Sequence, residues 1–234
     1  MATKRLVADP DFDRVEVRTN MRARNITMRP KADGLHVTVP PYTKTSAVLE
    51  AIDKHRTQLL EIYNRLRPRL IDCDFTIDAP CFKLTVERGL RQFFSVRFVD
   101  DRATVYCPPT ADFSNPNVQA TLRAGIVRAM KRQAELFLPP LLAEYASRYG
   151  LTYKRVRITG ARSRWGSCSS GGTICLSCYL MLLPPNLMDY VMLHELAHTR
   201  EMNHGPQFYA VLNSMTDGMA LQLRSQLRSF RMPF

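Results

Sequence analysis

The chain contains no stretch of 18 consecutive apolar residues, and Met1 to Pro10 carries charge but no apolar h-region. A membrane-spanning helix and a secretory signal are therefore not expected, which makes the cytoplasm the expected compartment. No internal repeat, low-complexity tract or run of five like charges is apparent in the 234 residues. Apolar residues make up 45% and charged residues 23%, the balance of a globular protein, so fibrous and disordered classes are disfavoured. Acidic side chains are scarce, 21 against 33 Lys and Arg, for a net +12. The excess lies at the two ends, with 14 basic and 8 acidic residues in 1–70, 10 and 9 in 71–150, and 9 and 4 in 151–234. It permits an anionic partner such as nucleic acid, and equally a solvated basic face.

A second C-x-x-C is also missing. Cys175 and Cys178 form one such pair within an apolar stretch that reads as strand, so a structural zinc knuckle lacks half its ligands. In the expected compartment the six cysteines are reduced thiols rather than three disulfides.

The length suits one large domain or a core with a small module. Residues 1–70 read as a hairpin and helix module. Val15 and Val17 alternate with charged residues, Ile26 and Met28 precede an Asp33-Gly34 turn, and Leu35, Val37 and Val39 follow it. After Pro40-Pro41, Thr45 or Ser46 caps a helix running to about Leu66, with Val48, Ile52, Leu59, Ile62 and Tyr63 on its apolar stripe. Residues 71–234 form the second part, which is compatible with one compact unit with the first. Within it, apolar runs over 70–112 predict an antiparallel meander, an insertion by this reading. A helix then starts at Ser114-Asn115-Pro116 and must break or kink at Pro139-Pro140. A strand at 154–159, a hairpin at about 162–180 and terminal helices complete an α+β pattern, with Met215 and Met219 expected in the core.

The chemistry concentrates in one of these helices. Entered through Pro184-Pro185, it carries His194-Glu195-Leu-Ala-His198. At about 100° per residue the two histidines lie about 40° apart on one face, so both imidazoles can reach one Zn²⁺ at about 2.0–2.1 Å. Glu195, about 100° round, is poorly placed as a ligand and well placed to take a proton from metal-bound water. With 5 His and 8 Glu in the chain, about 0.004 such strings are expected by chance. Two satisfied buried histidines would need polar partners that their neighbours do not supply. A catalytic zinc also needs a third protein ligand. His204 is favoured, because Gly205-Pro206 ends the helix and Asn203 can help turn the chain back, while Glu201 suits an outer or surface role.

Arg164-Trp-Gly-Ser-Cys-Ser169, Leu183-Pro-Pro185, Asp189-Tyr-Val191, His194-Glu-Leu-Ala-His198 and Asn203-His204-Gly-Pro-Gln-Phe208 together resemble the YgjP-like zinc metallopeptidases, also called predicted metal-dependent hydrolases. The likeness is dense over 155–212 and looser over 14–66. It implies a zincin-like core, an antiparallel sheet with an active-site helix, in which His194, His198 and His204 bind zinc and Glu195 is the general base of peptide hydrolysis. The family is also similar to the SprT-like proteases, which attack DNA–protein crosslinks. A nucleic-acid-associated protease or repair factor, or a zinc hydrolase of a non-peptide amide, are the alternative functions. Metzincins place Gly where this chain has Glu201, so Glu201 is given no role from them. Arg164 and Tyr209 are candidate oxyanion donors. Trp165 either anchors the core or flanks a sheet edge to which a peptide adds. Cys168, close to the site by the resemblance, reads as a small buried hydrophobe or a functional thiol.

Overall fold

The computed structural model describes residues 4–66, 69–99 and 102–232, and it divides the α+β chain into two compact units, Met1–Arg69 and Leu70–Pro233. Among the described residues no helix is long and apolar enough to cross a membrane.

In the first unit, strands β1 (Lys4–Val7), β2 (Val15–Thr19), β3 (Thr27–Lys31) and β4 (Gly34–Val39) form one sheet in the order β1-β2-β4-β3, followed by α1 (Thr45–Leu66). β3 and β4 make the expected hairpin, closed by Lys31 opposite Gly34. Gly34 has a φ of 137°, and a Cβ there would stand 2.1 Å from the Arg14 carbonyl oxygen, so only glycine fits the turn. β2, however, runs parallel to β4. Alternating Val15, Val17, Leu35, Val37 and Val39 give the sheet one apolar face, and Val48, Ile52, Leu59 and Tyr63 of α1 cover it. Ile62, assigned to that stripe from the sequence, is 45% exposed, because at about 100° per residue it falls on the stripe's margin. Arg56 of α1 holds the β1–β2 connection by donating to both oxygens of Asp9, at 3.1 and 2.9 Å, and to Asp11.

The second unit begins with β5 (Thr76–Ala79), β6 (Phe82–Arg88), β7 (Ser95–Val99) and β8 (Arg102–Cys107), in the order β5-β6-β8-β7. This is not the antiparallel meander expected of 70–112, since β8 is inserted between β6 and β7 and runs parallel to β6. The arrangement duplicates that of the first unit strand for strand, an internal repeat that the residue pattern did not disclose. Val37 and Val105 occupy equivalent central positions, Pro40-Pro41 and Pro108-Pro109 end the two inner strands, and a helix follows each. Even the closing bonds correspond, Asn20 N–H donating to Val39 O and Gly89 N–H to Cys107 O.

That second helix, α2 (Pro116–Arg148), starts at Asn115, whose side-chain oxygen accepts the Asn117 N–H at 2.9 Å. It runs on through Pro139 and Pro140 instead of ending there. Two prolines remove two backbone donors at a cost of about 3 kcal/mol or more each. Burial of Leu138, Leu142 and Ala146 continues the stripe begun by Leu122 and Ile126, and each buried Leu offsets about 1.5–3 kcal/mol of that cost. α2 thereby packs on the β5–β8 sheet and also on the elements that carry the histidines.

Those elements are β9 (Arg155–Thr159), β10 (Gly166–Cys168), β11 (Thr173–Ser177), a 3-10 turn over Cys178–Leu182, α3 (Pro185–Ala197), α4 (Pro206–Met215) and α5 (Ala220–Ser229). Their sheet is mixed rather than wholly antiparallel, in the order β10-β11-β9, with β11 antiparallel to β10 and parallel to β9. β11 carries the fully buried Ile174 and Leu176, and the central position gives both its edges partners. Met215 is buried as expected, while Met219, in the turn before α5, is 43% exposed.

Candidate metal centre

α3 is apolar on nearly all sides, with Leu187, Met188, Val191, Met192, Leu193 and Leu196 buried, and is clasped by α2, α4, α5 and the β10–β11 hairpin. It ends at Ala197, so His198 is its C-cap residue and the chain turns at once. This stop is earlier than Gly205-Pro206 suggested, and it brings His204 back over the last helical turn. His204 Nε2 lies 3.1 Å from His194 Nε2, and ring nitrogens of His194, His198 and His204 all fall within 4.8 Å of one another.

The tautomer of His198 suits ligation. His198 Nδ1 lies 3.1 Å from the Glu201 carbonyl oxygen, which can only accept, so Nδ1 carries the proton and Nε2 is free. Glu201 therefore contributes its backbone carbonyl to the site. Burial and the neighbouring imidazoles push the His194 pKa down to about 3, and burial lowers that of His198, so both rings are neutral donors. Tetrahedral zinc with bonds of about 2.0–2.1 Å separates two ligand nitrogens by about 3.3 Å, close to the 3.1 Å between His194 and His204. The three residues fit a divalent ion of that size and preference. Among the described residues no cysteine or carboxylate joins the group.

Phe208, fully buried in α4, backs the triad, its ring centroid standing 4.9, 4.5 and 4.7 Å from those of His194, His198 and His204. Phe208 ends the Asn203–Phe208 motif, which by itself assigns it no role. It sits in the first turn of α4, and because His204 lies outside any helix, no spacing in the sequence places Phe208 on the histidines' side.

Glu195 is 5% exposed, its Oε2 has no hydrogen-bond partner among the described residues, and burial pushes its carboxyl pKa up to about 8. Gly166 makes room for it. A Cβ on Gly166 would lie 2.6 Å from Glu195 Oε1 and 2.7 Å from its Cγ, so β10 and the glutamate are in contact only because that residue has no side chain. No pattern in a single sequence marks Gly166 for this.

Arg164, Trp165, Tyr209, Arg224 and Arg228 line a cleft of roughly 900 Å³ that opens on His194, Glu195 and His204. No motif in the sequence marks the two arginines of α5 as site residues. Arg224 Nη1 donates to the Tyr209 hydroxyl at 2.7 Å, and Trp165 packs edge-on against Phe230 at 6.0 Å. Cys168 is half-buried on β10, its thiol pKa raised by burial and then by Glu195. Cys178 is buried in the 3-10 turn with its pKa raised to about 11.

No curated protein matches the chain significantly. Two solved structures are similar to part of it. The metallopeptidase zymogen of Pyrococcus abyssi abylysin is 24% identical, with a TM-score of 0.36, over 38% of this chain and 90% of that one. The metallopeptidase zymogen of Methanocaldococcus jannaschii jannalysin is 22% identical, with a TM-score of 0.31, over 38% and 94%. The model of the YgjP-like metallopeptidase domain matches residues 24–230, from β3 of the first unit through the triad. The chain belongs to the YgjP-like metallopeptidases and is a metal-dependent hydrolase.

Proposed function

We propose that the chain is a zinc peptidase with a zincin-like core, in which His194, His198 and His204 hold the ion and Glu195 moves the proton. The observation that carries this reading is the Glu195 carboxyl, buried with one oxygen unpartnered beside three converging imidazoles. A carboxylate that deep is ordinarily paired, and leaving it unpaired is costly unless the site uses it. Zinc bound there supplies Lewis acidity toward the scissile carbonyl and a positive charge that offsets burial of the glutamate.

Glu195 accepts a proton from the attacking water and returns it to the departing amide nitrogen, as the new C–O bond forms and the C–N bond breaks. β10 aligns the peptide. Ser177 N–H donates to Trp165 O at 2.9 Å and Ser169 N–H to Thr173 O at 3.0 Å. By antiparallel alternation the backbone N–H and C=O of Gly166 and Cys168 then face the open edge. An extended peptide adds there as a strand, over the glutamate. Because the Tyr209 oxygen accepts from Arg224, its own proton is free to be donated to the developing oxyanion, with Arg164 as a second donor.

The test is metal dependence. Chelator-stripped protein should lose hydrolysis of a mixed peptide pool and regain it at one equivalent of zinc, while His198→Ala should not regain it. Absence of peptide hydrolysis by the stoichiometrically zinc-loaded chain overturns the reading.

A further inference from the structure

The cleft beside the triad is more cationic than the ligands, the general base and oxyanion donation by Tyr209 and Arg164 explain. Arg164, Arg224 and Arg228 line it, and Glu195 is the one carboxylate in its lining. Among the described residues none of the three guanidinium groups has a carboxylate partner. Arg224 and Arg228 are four apart on α5, so they share one helix face, a like-charged pairing that weakens a helix. The segment itself supplies little to relieve it, since Asp217 is the sole acidic residue from Pro206 to Met232. Trp165 against Phe230 ties the segment bearing Arg164 to the end of α5, so the charges belong to one cleft. Arg224 spends one N–H on Tyr209 and, like Arg228, offers the rest to the cleft.

A solvated basic surface does not concentrate its charges in the concavity that holds the reactive groups. Three guanidinium groups with no carboxylate partner among the described residues, at a water-accessible cleft, fit a ligand that brings the carboxylate with it, held by charge-assisted and often bidentate bonds. We propose that Arg164, Arg224 and Arg228 form an anion subsite that selects peptides carrying a carboxylate next to the scissile bond. The subsite deepens the peptidase reading above and rests on it for the identity of the substrate backbone. The carboxylate is either an Asp or Glu side chain within the peptide or the free chain end, and the two sources are separable.

Trp165, the only tryptophan, lines the same cleft, and its fluorescence reports occupancy. The zinc-loaded full chain is titrated with three tetrapeptides of one sequence: Asp-containing and C-terminally amidated, its Asn isostere amidated, and the Asn isostere with a free carboxyl end. At least one carboxylate-bearing peptide should bind about tenfold or more tighter than the neutral one. Preference for the Asp peptide assigns an internal acidic residue, and preference for the free end assigns the chain terminus. Arg228→Gln should shrink the preference, Arg224→Gln/Arg228→Gln should bring it within about twofold of unity, and Arg228→Glu should turn it toward a Lys-containing peptide. Equal binding of all three peptides by the wild type, or a preference untouched in the double variant, overturns the subsite. Charge-selective binding of peptides that are never cleaved overturns the peptidase reading alone, and cleavage without charge preference overturns the subsite alone.

Discussion

Replacing Gly166 with alanine places a methyl group 2.6 Å from Glu195 Oε1 and 2.8 Å from its Cδ, where ordinary contact begins at 3.4 Å. Something must move by about 0.8 Å. β10 is held through Ser177 N–H to Trp165 O and Ser169 N–H to Thr173 O, and α3 is packed on several sides, so the carboxyl is the part that gives way. Its Oε2 has no hydrogen bond to resist the shift. A catalytic group misplaced by about 1 Å costs on the order of 10²-fold in rate, or about 2.7 kcal/mol of barrier. Gly166 does not have a positive φ, so the alanine backbone is unstrained and the fold should survive. Gly166→Ala should therefore keep one zinc per chain and a melting temperature near wild type while kcat falls about 100-fold. The checks are steady-state peptide hydrolysis, elemental analysis and thermal unfolding on one preparation. A variant within threefold of wild-type kcat would refute the claim that the glycine makes room for a working carboxylate.

Other parts of the molecule give further expectations. The Asp9 side chain is 1% exposed and held by Arg56, so Arg56→Met leaves a buried charge unpaired and should cost about 3 kcal/mol, read by urea unfolding of the full chain. Arg56 holds the Asp9 pKa below 3.8, so that pair's stabilisation is complete above pH 3.8 and is lost as pH falls through the lowered value. The variant should accordingly lose less stability than wild type over that acid range in a pH series of unfolding curves. Phe208→Ala removes the ring shared by the three histidines and should weaken zinc about 10–100-fold by competition with a chelator, in addition to a core cost of about 3–5 kcal/mol. Gly125→Ala should stabilise α2 by about 0.8–1 kcal/mol in denaturant unfolding, because the new methyl would meet only Val105 Cγ1 at 3.9 Å.

The histidine string was legible because ligation constrains residue type and spacing together, and chance supplies neither. The strands were legible as strands because Val15, Val17, Leu35, Val37 and Val39 alternate, but alternation fixes the face of a strand and says nothing about its neighbour. Hence β4, β8 and β11, each inserted between two earlier strands, could not be told from successive hairpins, and with them the duplicated sheets stayed hidden. β1 carries no strand signal in the sequence because Lys4 and Arg5 leave it little apolar pattern. Pro139-Pro140 misled for a different reason. The local penalty is real, but the helix is held by its whole buried stripe, from Leu122 and Ile126 through Leu138 and Leu142, rather than by the two positions at the prolines. At the site, Gly166 and Phe208 act through contacts made only in three dimensions. In the sequence Arg224 and Arg228 are part of a diffuse positive excess, and only the packing of α5 puts them at the cleft.

The central claim is that Glu195 carries the proton in a metal-dependent hydrolysis. It is tested most directly by Glu195→Gln, nearly isosteric in its pocket, assayed in single turnover on a cleaved peptide at matched zinc content. The account predicts one zinc per chain in both proteins and a loss of about 10²–10⁴-fold in the chemical step. Hydrolysis at the wild-type rate by the zinc-loaded glutamine variant would contradict it.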